Sequence, residues 1–143
     1  MLKKKLIILA LTLVLSLTGV TSAFAYDGWA DSKQTAYQLQ APVLGVTTVL
    51  NTPYDVDWYS WTNNTGVPKS PVVTLQSPAG LQYAFITLFP NGEFLTYSTS
   101  PGGRITVTFG ATVPPGQTIY YQVRGLSVNQ YSATESYNFS ISY

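Results

Sequence analysis

The sequence predicts an all-β protein, an antiparallel β-sandwich or jelly roll of about eight or nine strands. Three observations carry that reading. Short runs alternate apolar and polar residues, most cleanly Arg104-Ile105-Thr106-Val107-Thr108-Phe109, which is the two-residue period of a half-buried strand. Turn signals separate the runs: Asn63-Asn64-Thr65-Gly66, Ser77-Pro78-Ala79-Gly80, Pro90-Asn91-Gly92, Ser100-Pro101-Gly102-Gly103 and Pro114-Pro115-Gly116. No stretch after residue 25 keeps a helical period over the ~11 residues that would mark an amphipathic helix.

In chain order, the first 25 residues stand apart from this pattern. Lys3, Lys4 and Lys5 precede an uncharged apolar run, residues 6–17, and Ala23-Phe24-Ala25 supplies small residues around a cleavage point. This is the grammar of a secretory signal peptide, and the run is shorter than the ~20 residues of a membrane span. The expected mature protein is one domain, residues 26–143, secreted, extracellular and free of the membrane once cleaved.

Residues 26–33 read as irregular, with Trp29 as anchor. Residues 35–40 alternate as a first strand stopped by Pro42. Residues 43–50 form a β-branched run whose Gly45 suggests a bulge. Asn51-Thr52-Pro53 turns the chain into residues 55–62, and 72–76 is the next strand. Residues 81–89 are apolar on both faces, as expected of a buried strand. Pro90-Asn91-Gly92 makes residues 93–98 its hairpin partner. Residues 104–109 point Ile105, Val107 and Phe109 inward. Residues 118–124 do the same with Ile119, Tyr121 and Val123. The last strand, residues 137–143, carries Tyr137, Phe139, Ile141 and Tyr143 on one side. Tyr59, Trp61, Phe85, Phe109, Tyr121 and Phe139 are the expected core aromatics, with Val107 mostly buried beside them. Trp58, Tyr97, Tyr120 and Tyr131 fall out of register with that core.

Composition excludes more than it assigns. There is no histidine and no cysteine, so Ser-His-Asp and Cys-His catalysis, imidazole or thiolate metal sites and disulfides are all ruled out. The mature part keeps Lys33, Lys69, Arg104 and Arg124 against Asp27, Asp31, Asp55, Asp57, Glu93 and Glu135, a net charge of −2. No basic patch exists for nucleic acid. Asp55 and Asp57 share one side of their strand with Tyr59 and Trp61, while Val56, Trp58 and Ser60 take the other. The two carboxylates suit either hydrogen-bonded capping of the turn after Pro53 or a hard cation. Their separation would also suit a glycosidase pair, but two residues apart on a strand give that distance trivially. No catalytic residues are assigned.

Asp31-Ser32 ahead of Ala36-Tyr37-Gln38-Leu39, then Asp55-Val56-Asp57-Trp58-Tyr59-Ser60-Trp61, Ser77-Pro78-Ala79-Gly80-Leu81, Phe89-Pro90-Asn91-Gly92 and Pro115-Gly116 before Tyr120-Tyr121-Gln122-Val123 together resemble the bacterial pre-peptidase C-terminal domain family. These β-sandwich modules are appended to secreted peptidases and related in fold to the collagen-binding domains of clostridial collagenases. The resemblance spans residues 30–143, and Asp-x-Asp-Trp-Tyr is its most specific part. It implies a structural calcium ion held by Asp31, Asp55 and Asp57, with Asp27 as a possible substitute upstream. Two departures stand out: Ala30 where the family often has Asn, and no peptidase domain in this chain. The expected function is a secreted, non-catalytic binding module for extracellular polysaccharide, cell wall or protein, with Trp58 and Tyr120 as ligand-binding rings. The alternative is an interaction or assembly protein that acts in trans as a folding aid, inhibitor or surface-structure subunit.

Overall fold

The computed structural model describes residues 29–40 and 44–143. The expected signal peptide and its expected cleavage site, with Asp27 and Pro42, lie outside the described residues. A three-residue 3-10 turn, Lys33–Thr35, precedes nine strands. They are β1 Tyr37–Gln38, β2 Gly45–Leu50, β3 Val56–Thr62, β4 Val72–Gln76, β5 Tyr83–Leu88, β6 Phe94–Ser98, β7 Arg104–Thr108, β8 Thr118–Gly125 and β9 Ser132–Ser142. One sheet has the order β1-β3-β8-β5-β6 and the other β2-β9-β4-β7. All pairings are antiparallel except β1 with β3. Apart from the β5–β6 hairpin, every connection carries the chain from one sheet to the other.

Alternation along each strand builds the core. On β3, Asp57, Tyr59 and Trp61 are buried while Val56, Trp58, Ser60 and Thr62 are half-exposed. Ile119, Tyr121 and Val123 do the same on β8, and Val73 and Leu75 on β4. Phe139 of β9 lies at the centre: Tyr59 stacks on it at 4.7 Å, Tyr121 lies at 5.4 Å and Phe85 at 6.1 Å. Rings from both sheets thus meet in offset and edge contacts, the arrangement their quadrupoles favour. All six expected core aromatics are buried. β5, between β8 and β6, buries Tyr83, Ala84 and Phe85 in succession, as its two-sided apolar sequence requires.

Several expectations are corrected. Residues 35–40 are not one strand. The Ser32 hydroxyl accepts from the Thr35 amide at 3.2 Å, and the Thr35 hydroxyl accepts from the Ser32 amide at 3.2 Å. That reciprocal cap winds residues 33–35 into a turn and leaves β1 two residues long. The irregularity in β2 falls between Thr48 and Leu50, not at Gly45. Gly45 instead lets β2 approach β9, since a Cβ there would stand 3.0 Å from that of Ser140. β9 begins five residues earlier than the apolar pattern suggested, because the polar residues from Ser132 still pair with β2 through the backbone. Val107 is only half-buried, since β7 is a sheet edge. Tyr97 turns inward, 5.4 Å from Phe85 and 6.0 Å from Phe109.

Candidate metal centre and an aromatic sheet face

The acidic cluster forms where the chain's first described residues meet the start of β3. The Trp58 amide donates to the Ala30 carbonyl at 2.7 Å, which holds residues 30–31 beside β3. Ala30 is buried and left-handed, with φ 59°. Few non-glycine residues adopt that conformation, and Asn does so more readily than Ala. Asp55 turns its carboxylate back to accept from the Asn51 amide at 2.8 Å, closing the turn before β3. Asp57, odd-numbered like Tyr59 and Trp61, faces the interior and is 1% exposed. One oxygen from each of Asp31, Asp55 and Asp57 lies within 4.8 Å of the others. The three residues the resemblance implied are therefore brought together, and Asp55 does cap the turn as well.

Beneath the cluster runs a hydroxyl relay absent from the sequence reading. The Tyr137 hydroxyl donates to Asp57 Oδ2 and is itself hydrogen-bonded to the Tyr59 hydroxyl. Burial pushes both phenols well above their ordinary pKa. Both therefore keep their protons at neutral pH. Because Tyr137 spends its proton on Asp57, Tyr59 must donate to Tyr137. The Asp57 carboxyl is raised to about 7, chiefly by burial and further by the charges of Asp55 and Asp31, with the Tyr137 hydrogen bond opposing. Parity on the last strand pointed Tyr137 inward, but its meeting with a carboxylate 80 positions away has no local signature.

Trp58 and Tyr120 also come together. Trp58 pairs with Gln122 and Ser60 with Tyr120 across β3 and β8, so the two rings are diagonal neighbours on the outer face of the five-stranded sheet. Register extends that face into two rows, Trp58-Gln122-Ile86-Thr96 and Ser60-Tyr120-Leu88-Phe94. The Lys33 ammonium sits 4.5 Å from the centre of the Tyr120 ring. Ile86, Leu88 and Phe94 were not read from the sequence as part of this surface. The outer face of the other sheet differs: Thr47, Thr74, Thr106, Asn138, Ser140 and Ser142 occupy the corresponding positions. That side is hydroxyl-rich apart from Val72; the opposite side mixes rings and aliphatic side chains with polar residues.

No family model matches the chain, and no curated protein sequence matches it. Solved structures do. The pre-peptidase C-terminal domain of a collagenase from Bacillus anthracis superposes with a TM-score of 0.54 at 16% identity, covering 75% of this chain and 92% of that one. CorA, a surface-associated copper-binding protein of Methylomicrobium album BG8 important in copper acquisition, gives 0.49 at 9% identity, over 75% and 97%. The fold expected from the sequence motifs is thus the fold observed, that of a pre-peptidase C-terminal domain.

Proposed function

We propose that this chain is a secreted, non-catalytic binding module for extracellular polysaccharide, and that it reads its ligand with the outer face of the five-stranded sheet. The observation that carries this is the asymmetry of the sandwich. A fold with two solvent-facing sheets needs polar residues on both; this one concentrates its rings and large aliphatic side chains on one side, whereas the other has Val72 among hydroxyls. Exposed apolar surface of that kind marks a contact site. Around Trp58 and Tyr120 stand Ser60, Gln122 and Arg124 on the same face. Rings for stacking beside amide, hydroxyl and guanidinium groups match the apolar faces and hydroxyl rims of sugars. A non-catalytic role is favoured because the clustered carboxylates include Asp57, which is 1% exposed and out of a substrate's reach.

Calcium is the structural ion that fits the acidic cluster. Two oxygens on one calcium at 2.3–2.6 Å lie at most about 5 Å apart, so oxygens within 4.8 Å of one another can share an ion. An all-oxygen set, in a chain without histidine or cysteine, selects a hard cation over copper or zinc. Bound there, the ion would tie residues 30–31 to β3, the central pairing partner of β1 and β8.

A protein partner is the second reading, favoured by Ile86, Leu88 and Phe94, which set three large apolar side chains beside Thr96 and Ser98 on the β5–β6 half of the face. Retention of the mature protein on insoluble glycans and isolated cell walls tests the first reading, and Trp58→Ala should weaken it by about 1–3 kcal/mol. Full retention of that variant would remove the face from consideration. A single co-purifying protein with no glycan retention would favour the second reading.

A further inference from the structure

A separate groove lies on the flank of the sandwich, between the free edges of β6 and β7. These are the outermost strands of their sheets on the same side. The cavity measures about 560 Å³. Phe89, Phe109 and Tyr97 form its floor, with Phe89 and Phe109 edge to face at 5.3 Å and Tyr97 6.0 Å from Phe109. Phe94 and Leu95 stand exposed at its rim, at 68% and 44%. Among the described residues, Glu93 is the one charged side chain lining it.

The β6 backbone is set to receive a strand. The Phe89 amide donates to the Glu93 carbonyl at 2.9 Å, and the Thr99 amide to the Tyr83 carbonyl at 2.9 Å. Antiparallel pairs alternate between hydrogen-bonded and non-hydrogen-bonded, so residues 93, 95, 97 and 99 direct their polar groups at β5. Phe94, Thr96 and Ser98 must turn theirs to the open edge. Edge strands are ordinarily protected by shortness, bulges, proline or lysine. β1 has only two residues and β2 carries a register shift. β6 runs five residues in unbroken register, with no proline and no charge inside the strand.

We propose that the β6 edge and this groove bind an extended peptide segment of alternating apolar residues that carries a lysine or arginine beside Glu93. The backbone of such a segment would continue the five-stranded sheet past β6 through Phe94, Thr96 and Ser98. Its alternate side chains would enter the groove over Phe89, Tyr97 and Phe109. Its cationic side chain answers the Glu93 carboxylate at the groove, which is what distinguishes this occupant from an uncharged strand. Gly110 and Ala111 keep the opposite rim low; a Cβ at Gly110 would meet nothing within 4 Å.

The probe is a blocked peptide, Lys-Val-Thr-Val-Thr-Val-Lys, which offers a lysine to Glu93 in either chain direction. Amide exchange and chemical shifts of the mature protein are followed by NMR. Slowed exchange at Phe94, Thr96 and Ser98 is expected. Thr96→Pro removes one outward donor where proline is tolerated on an edge strand, and should weaken binding at least tenfold. Gly110→Phe fills the groove without touching β6 and should abolish binding. Glu93→Lys should weaken it about tenfold, as should glutamates in place of the peptide's lysines. Trp58→Ala and Thr106→Pro, on the sheet face and on β7, should leave it unchanged. A peptide N-methylated on the amides facing β6 should not bind the wild-type protein, a control that needs no variant to fold. Absence of binding, or binding indifferent to Gly110→Phe and to N-methylation, would overturn the proposal. So would a dimer in sedimentation that Thr96→Pro dissolves, since the edge would then belong to a second copy of the chain.

Discussion

At the scale of single residues, Asp57 and Ala30 carry the sharpest expectations. The Asp57 carboxyl is raised from 3.8 to about 7 in the folded protein. Between those pH values the folded state holds a proton that the unfolded chain has released, so this group favours folding at low pH. Its contribution is present below about pH 4 and is lost as pH rises towards 7, up to about 4 kcal/mol at 1.36 kcal/mol per pH unit. With chelator present, chemical denaturation from pH 4 to 8 should show this decline, and Asp57→Asn should flatten it. A metal ion competes with that proton, so millimolar calcium should reverse the trend. A wild-type profile identical to that of Asp57→Asn would show that the buried carboxyl does not titrate in this window. Ala30 sits at φ 59°, where a Cβ crowds the neighbouring carbonyl. Ala30→Gly removes that penalty and should raise stability by about 1 kcal/mol. A loss of stability instead would mean that the methyl group's packing outweighs its strain.

Strands and loops respond according to where their inward face lies. Trp61 on β3 is 3% exposed and lies 5.0 Å from Tyr143, the two rings tilted at 34°. Trp61→Ala should cost about 3–5 kcal/mol. Ser140→Ala, on the hydroxyl-rich face, should cost far less; equal shifts in denaturation midpoint would contradict the register. The loop after β3 depends on Asn63, which is fully buried. Its side-chain amide donates to the Val67 and Val113 carbonyls at 2.8 Å each, and its oxygen accepts from the Thr65 amide and hydroxyl. Asn63→Ala removes these bonds, but Val113 keeps the Lys69 amide and Val67 the Thr65 hydroxyl as donors, so it should cost roughly 1–3 kcal/mol. Asn63-Asn64-Thr65-Gly66 announced a turn in the sequence. That the first asparagine also fastens the loop between β7 and β8 was not legible, because Val113 lies 50 positions away.

For the whole molecule the test is linkage. Calcium that binds only the folded state should add roughly 2.7 kcal/mol at a hundredfold excess over its dissociation constant. The added stability should be absent in Asp31→Ala as well as in Asp57→Ala. A Tm unchanged between millimolar calcium and excess chelator would leave Asp55 as a turn cap and nothing more. Ligand affinity, by contrast, should barely respond to salt. Residues 26–143 have a net charge of only −2, which leaves little for counterions to screen. Binding abolished by moderate salt would shift attention from Trp58 and Tyr120 to Arg104 and Arg124.

The sequence by itself determined whatever local geometry controls. Strand parity follows from a two-residue period, so Tyr59, Trp61, Tyr121 and Phe139 could be assigned to the core and Trp58 and Tyr120 to the opposite side before any pairing was known. The Pro90-Asn91-Gly92 turn, with Gly92 at φ 88°, set the β5–β6 hairpin because its two strands are neighbours in the chain. Tertiary structure alone decided the rest. Connections that pass between sheets leave no turn signature to say which strand lies beside which. Trp58 and Tyr120 therefore became neighbours only once β3 paired with β8. Likewise Asp31 joined Asp55 and Asp57 through one backbone hydrogen bond from Trp58 to Ala30, and Asp57 met Tyr137 across the interior. The β6–β7 groove is the extreme case. Each of its walls is legible as a strand, but the space between them exists only because consecutive strands end on the same flank of two different sheets.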